Sequence, residues 1–80
     1  MPTILRLDGF RFMIYQGDAE HAPAHVHAIK AGQMVVIDLT TVSVRDIKGM
    51  GRTDVRAAVR ITDDNLALLV SAWRRINGNR

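Results

Sequence analysis

Residues 25–38 have the sequence HVHAIKAGQMVVID, in which two runs of β-favouring residues flank Ala31-Gly32. This pattern predicts an antiparallel hairpin with strands at about residues 25–30 and 33–39. With a two-residue turn, Lys30 pairs with Gln33 and His25 pairs with Asp38. A glycine bulge at the turn would instead shift the register by one residue and separate Asp38 from His25. In the first register one face carries the apolar core side chains Val26, Ala28, Val35 and Ile37.

The remainder of the first half also has the short period of β-strands. Phe10, Phe12 and Ile14 alternate with their neighbours and predict a first strand over about residues 9–16. Small residues, Gly and Pro over residues 17–24 predict a loop. Val42 and Val44 predict a short fourth strand, which a glycine-rich connection at residues 48–51 follows.

The second half has a helical period from about residue 52. Thr53 is the expected N-cap of a first helix, and Trp73 is the expected core anchor of a second helix that ends at Gly78. Thr62 predicts a break between them, although one long bent helix is the alternative. The predicted fold is α+β, a single domain of residues 1–80: an antiparallel meander of three to four strands, then one or two C-terminal helices packed on one face.

Length and composition restrict the class of protein. The chain has 80 residues and a mass of 8.9 kDa, which suits one domain with a thin core that an added chain would complete. Its 48% hydrophobic and 24% charged residues are typical of a folded globular chain. The absence of cysteine excludes a disulfide framework and fits a reducing cytoplasm. No apolar run predicts a membrane span or a signal peptide, so we expect a cytoplasmic protein without membrane contact.

The three histidines lie within seven residues, at positions 21, 25 and 27. His25 and His27 are two apart on a strand and leave the same face, so both could reach one metal ion such as zinc, with His21 or Asp18 as a third ligand. Alternatively no cofactor is bound, and Asp38 beside His25 holds that imidazole for proton transfer, which makes His25, His27 and Asp38 candidate catalytic residues. A structural or interface role is the interpretation we favour.

Basic residues concentrate in the second half of the chain and recur every four residues along Lys48, Arg52, Arg56 and Arg60. A basic ridge of this kind is typical of contact with a phosphate backbone, so these four are candidate nucleic-acid-binding residues. The alternative is a solvated helix surface on which Arg60 pairs with Asp63 or Asp64.

Several short motifs, taken in order, resemble those of a known family. They are the opening Met1-Pro2-Thr3-Ile4, the strand Asp8-Gly9-Phe10-Arg11-Phe12, Asp18, Pro23 before His25-Val26-His27, and a last helix with Asn65, Leu69 and Trp73. Together they resemble the domain-of-unknown-function family four-one-six-zero. Members are small bacterial proteins, often encoded beside another small protein in gene pairs that look like toxin–antitoxin modules. The family usually has two prolines before its histidines, whereas Ala24 follows Pro23 here. The resemblance implies that Asp18, Pro23, His25 and His27 are candidate functional positions.

The leading hypothesis is a partner-binding component of a toxin–antitoxin-like pair, with RNA contact through the basic residues. The expected partner is a cognate small protein or a second copy of the chain. Two alternatives stay open: a small ribonuclease that uses His25 and His27, and a metal-binding protein that uses the histidines and Asp18.

Overall fold

A computed structural model describes residues 3–17 and 23–78. Within these ranges the chain forms the strands β1 (Thr3–Leu7), β2 (Phe10–Met13), β3 (His25–Lys30), β4 (Gln33–Asp38) and β5 (Ser43–Lys48), then the helices α1 (Arg52–Asp64) and α2 (Leu66–Asn77). The strands form an antiparallel meander in the order β1-β2-β3-β4-β5. The predicted α+β meander with C-terminal helices is confirmed, and it has one strand more than the three to four expected.

The additional strand is β1, which pairs with β2 through a turn at Asp8-Gly9. Asp8 has φ 52° and Gly9 has φ 84°, so both central residues adopt the left-handed conformation of a type I′ hairpin turn. This pairing shortens the strand predicted for residues 9–16, because β2 begins after the turn at Phe10 and ends at Met13.

The β3–β4 hairpin has the predicted direct register. Ala31 and Gly32 have φ of 52° and 77° and form a two-residue turn, with Lys30 opposite Gln33 and His25 opposite Asp38. The shifted register of the bulge alternative is therefore wrong. The four side chains predicted for the core face, Val26, Ala28, Val35 and Ile37, are fully buried.

The fourth predicted strand is longer and later than expected. Val42 has φ 52° and lies in the turn before β5, which extends from Ser43 to Lys48. The β4–β5 register shifts between Val36, which faces Asp46, and Ile37, which faces Val44. Arg45 is thus an extra residue in a β-bulge, a feature that redirects side chains at the edge of a sheet.

The two helices are separated at Asn65 rather than near residue 62. Thr62 cannot act as an N-cap there, because it is fully buried in α1 and its hydroxyl donates to the Ala58 carbonyl oxygen at 2.8 Å. The N-cap predicted at Thr53 is also wrong, since α1 begins at Arg52 and Gly51 occupies the capping position. At the far end Gly78 ends α2 with φ 77°, as predicted.

Both helices pack on one face of the sheet. The core joins Phe10, Phe12 and Ile14 to the hairpin residues above and to the helix side chains Ala58, Ile61, Leu69, Ala72 and Trp73. Trp73 is 1% exposed, so the prediction that it anchors the second helix is confirmed. Neither α1 nor α2 is long and apolar enough to cross a membrane.

Candidate functional site

His25 and His27 lie at one end of the sheet in a packed group of four aromatic rings and one guanidinium. We call this group the histidine cluster (Tyr15, His25, His27, Arg45 and Trp73). The imidazole centroids of His25 and His27 are 5.3 Å apart. The His25 ring also lies 5.1 Å from Trp73, and the His27 ring lies 4.6 Å from Tyr15 in an edge-on contact. His25 is 4% exposed. The predicted proximity of the two histidines is thus present, but one of them is buried under a core residue.

The end of α2 holds the segment that follows β2 and carries Tyr15. Asn77 donates from Nδ2 to the Tyr15 carbonyl oxygen at 3.2 Å, and its Oδ1 accepts from the Gly17 amide at 2.9 Å. These contacts join the last turn of α2 to the residues that follow β2. They restrain the tyrosine that packs on His27.

Asp38 lies opposite His25 in register, but its carboxylate is used elsewhere. Oδ1 accepts hydrogen bonds from the Thr40 amide at 2.7 Å, the Thr40 hydroxyl at 2.6 Å and the Thr41 amide at 3.2 Å. Burial alone would raise the pKa of Asp38, but the hydrogen bonds from Thr40 and Thr41 and the charge of Arg45 outweigh it, so the pKa is lowered. The carboxylate therefore organises the turn that leads to β5.

Arg45, which the sequence analysis did not single out, contacts His25 instead. Its Nη1 lies 2.9 Å from His25 Nδ1 and 3.2 Å from the Pro23 carbonyl oxygen, and His25 Nδ1 is 3.0 Å from that same oxygen. A guanidinium donates hydrogen bonds and cannot accept them. A carbonyl oxygen accepts and cannot donate. Nδ1 of His25 thus accepts from Arg45 when the ring hydrogen is on Nε2, and donates to Pro23 when the hydrogen is on Nδ1. The β-bulge brings Arg45 to this position, and a bulge has no signal in a single sequence.

The proposed metal ligands are brought together only in part. Asp18 and His21 lie outside the described residues, and among the residues of the described ranges no group of three His, Asp or Glu side chains could hold a metal ion. In addition, the guanidinium of Arg45 contacts the Nδ1 atom of His25. A positive charge at this nitrogen opposes the binding of a cation there.

The four candidate nucleic-acid-binding residues are exposed and lie on two elements, β5 and α1. Lys48 ends β5 and Arg52 begins α1. Arg56 and Arg60 lie one turn apart on α1 and border two neighbouring concavities. On a solvated helix surface Arg60 is expected to pair with Asp63 or Asp64, but within the described part of the chain it forms no ion pair with either residue. An ion pair in this part of the chain joins Lys30 to Asp54 at 3.3 Å.

The larger concavity is an open groove of about 650 Å³ between β5 and α1, which we call the β5–α1 groove. It is lined by Val42, Val44, Val55, Arg56, Val59, Arg60 and Asp63. Its apolar part continues the helix-facing side of the sheet, because Val44 lies opposite the buried Ile37. Val44 is nevertheless 40% exposed. The groove combines an incompletely covered apolar surface with two guanidinium groups.

The sequence contained a signal for part of this groove. Val55 and Val59 lie one turn apart beside Ala58 and form an apolar stripe on α1. Ala58 is buried, whereas Val55 and Val59 stay half-buried at the groove.

The chain was compared with curated proteins, solved structures and protein families. No curated protein and no solved structure matches the chain significantly. The family profile described as a domain of unknown function, DUF4160, matches residues 9–74. This match includes the strands β2 to β5, the histidines, α1 and the first nine residues of α2. The chain therefore belongs to the DUF4160 family, which confirms the resemblance drawn from its motifs.

Proposed function

We propose that this protein is the partner-binding component of a two-protein, toxin–antitoxin-like pair and that the β5–α1 groove is its contact surface. One observation carries the proposal: Val44 and Ile47 are 40% and 47% exposed although they continue the core-facing side of the sheet. Apolar side chains grouped with arginines at a concave surface are typical of interfaces. The partner expected from the gene pairs of similar proteins is the small protein encoded next to this one.

The test is co-expression of the two neighbouring genes with an affinity tag on this chain alone. We expect the small neighbour to co-purify at a fixed molar ratio. The double variant Arg56→Glu/Arg60→Glu should lose the neighbour, while the charge-matched variant Arg74→Glu/Arg75→Glu on α2 should keep it. A neighbour that never co-purifies, with both proteins folded and soluble, would contradict the proposal.

A small ribonuclease is the second candidate, and the histidine cluster favours it. Two imidazoles 5.3 Å apart and a nearby guanidinium are the groups that acid–base cleavage of RNA and stabilisation of its phosphate charge require. The burial of His25 weighs against it, since a catalytic group must reach its substrate. We rank it second for that reason.

Growth of a bacterial host after induced expression separates the two candidates. The wild type is compared with His25→Ala/His27→Ala, whose folding is checked by circular dichroism, and with the milder His27→Gln. If the wild type arrests growth and both folded variants do not, the ribonuclease candidate replaces the first one. If neither the wild type nor the variants affect growth, the result contradicts the ribonuclease candidate.

A further inference from the structure

We propose that the β5–α1 groove takes an extended, acidic segment of the partner, which pairs with the outer edge of β5 as an additional strand. This inference rests on the proposed function and specifies the chemistry of the partner. Every second side chain of the segment would face α1. This set of side chains would include apolar residues in the groove and carboxylates that face Arg56 and Arg60. Addition of a strand to an exposed sheet edge is a common mode of peptide recognition.

The edge of β5 supplies the backbone groups for this pairing. In the described part of the sheet β5 pairs with β4 on one side, and its other side carries no strand. All six residues from Ser43 to Lys48 are exposed. The N–H and C=O groups along such an edge can form hydrogen bonds with another chain.

The side chains of β5 indicate which face the added strand would complete. Val44 and Ile47 lie opposite Ile37 and Val35, and directly opposed residues share a face of the sheet. Both residues of β4 are fully buried beneath the helices, whereas both residues of β5 are 40% or more exposed. The cover that α1 gives to β4 thus ends before β5. Apolar side chains of an added strand would lie beside this gap, against Val55 and Val59.

The charge of the groove selects an acidic segment. Arg56 and Arg60 border both concavities of α1, and neither forms an ion pair with another part of the described chain. Asp63 lines the same groove one turn beyond Arg60, which leaves one positive charge in excess there. Guanidinium groups form two parallel hydrogen bonds with a carboxylate, so glutamate or aspartate side chains suit these positions.

Charge and composition disfavour two other occupants. A second copy paired through β5 would bring its own Arg56 and Arg60 towards the same groove, and like charges would repel. Single-stranded RNA needs aromatic side chains on which bases stack, but the apolar lining consists of valines. An acidic strand meets both the apolar and the basic parts of the surface.

The experiment measures binding of a short fluorescent peptide by fluorescence anisotropy with the purified full chain. Every second residue of the peptide is threonine, and the residues between them are alternately valine and glutamate, so that valine and glutamate share the face towards α1. We expect saturable binding that is about tenfold weaker for Arg56→Glu/Arg60→Glu and within about twofold of wild type for Arg74→Glu/Arg75→Glu. Circular dichroism confirms that both variants fold. A peptide with lysine in place of glutamate should bind at least about tenfold more weakly.

A peptide that is N-methylated at alternate residues, on the edge that faces β5, tests the strand pairing itself. It keeps the side chains but loses the hydrogen bonds to the sheet edge, so we expect its binding to disappear. Equal binding of the methylated peptide, of the lysine peptide or of a short single-stranded RNA would overturn the inference, as would no binding of the glutamate peptide at millimolar concentration. If the peptide fails while the neighbouring protein still co-purifies, the inference is wrong and the proposed function stands. If both fail, the proposed function is wrong as well.

Discussion

His25 and Arg56 are both basic side chains that the sequence marks as candidates, but they lie in opposite surroundings. His25 is 4% exposed, and its ring lies against Trp73 and contacts the guanidinium of Arg45. Arg56 is exposed at the border of an open apolar groove and has no ion pair within the described chain. His25, the more unusual residue, is therefore held by internal packing, while Arg56 on the helix surface is accessible to another molecule. In this chain the exposure of a side chain indicates a contact surface better than an unusual residue type does.

The sharpest way to test this contrast is to remove the side chain that packs on His25. Trp73→Ala should destabilise the protein by about 3–5 kcal/mol, because the indole is almost fully buried in the core. Leu68→Ala on the same helix is the control, since Leu68 is 48% exposed and its loss should cost less than about 0.5 kcal/mol. Urea unfolding measures both. Equal effects of the two substitutions would show that α2 does not pack as described.

A second comparison uses two residues that face each other across β4 and β5. Ile37→Ala should cost about 2–5 kcal/mol, since Ile37 is fully buried. Val44→Ala, directly opposite, should change the stability of the isolated chain by less than about 0.5 kcal/mol. A large loss for Val44→Ala would mean that the β5–α1 groove is closed in solution, which would remove the proposed contact surface.

Asp38 gives a prediction about pH. Its pKa in the folded protein lies below the ordinary value of 3.8, so the folded state binds fewer protons than the unfolded state in this range. Its stabilising contribution is present above the ordinary pKa and is lost as the pH falls through the folded pKa. Asp38→Asn should therefore cost about 1.5 kcal/mol at neutral pH, and the difference from wild type should shrink in acid. A difference that is constant down to pH of about 2 would contradict the role of this carboxylate in the turn.

Arg45→Ala should have a smaller effect on stability than Trp73→Ala, Ile37→Ala or Asp38→Asn, about 0.5–1 kcal/mol, because Arg45 is exposed. Its effect on the tautomer of His25 is more informative. Arg45 favours the form in which Nδ1 accepts, whereas in Arg45→Ala the nearby Pro23 carbonyl oxygen favours a hydrogen on Nδ1. Nitrogen-15 chemical shifts of the imidazole distinguish the two forms. An unchanged tautomer in the alanine variant would show that Arg45 does not determine it.

Features that depend on local geometry could be predicted from the sequence. The register of β3 and β4 followed from a two-residue turn at Ala31-Gly32, and the burial of Trp73 followed from its helical spacing. The strand β1 was missed although Asp8-Gly9 is a favourable pair for a type I′ turn. This dipeptide therefore indicates a hairpin turn from the sequence alone.

Other features depend on contacts between distant parts of the chain. Thr62 and the residues after it have the pattern of an N-cap. The Thr62 hydroxyl instead donates a hydrogen bond within α1, and the helix continues to Asp64. Likewise Asp38 faces His25 in register, yet the threonines after it supply better donors for its carboxylate. A pattern of residue types does not reveal which of two competing hydrogen bonds forms. The position of the groove also depends on where α1 stops covering the sheet, which is a tertiary property.

Amide hydrogen–deuterium exchange of this chain, alone and with the partner protein that we propose, tests the central claim most directly. The contrast between a packed histidine cluster and an open β5–α1 groove predicts that the complex slows exchange in β5 and the exposed side of α1. Exchange around His25, His27 and Tyr15 should stay the same in the free and the bound protein. Protection confined to the histidine cluster, with β5 unchanged, would contradict the account.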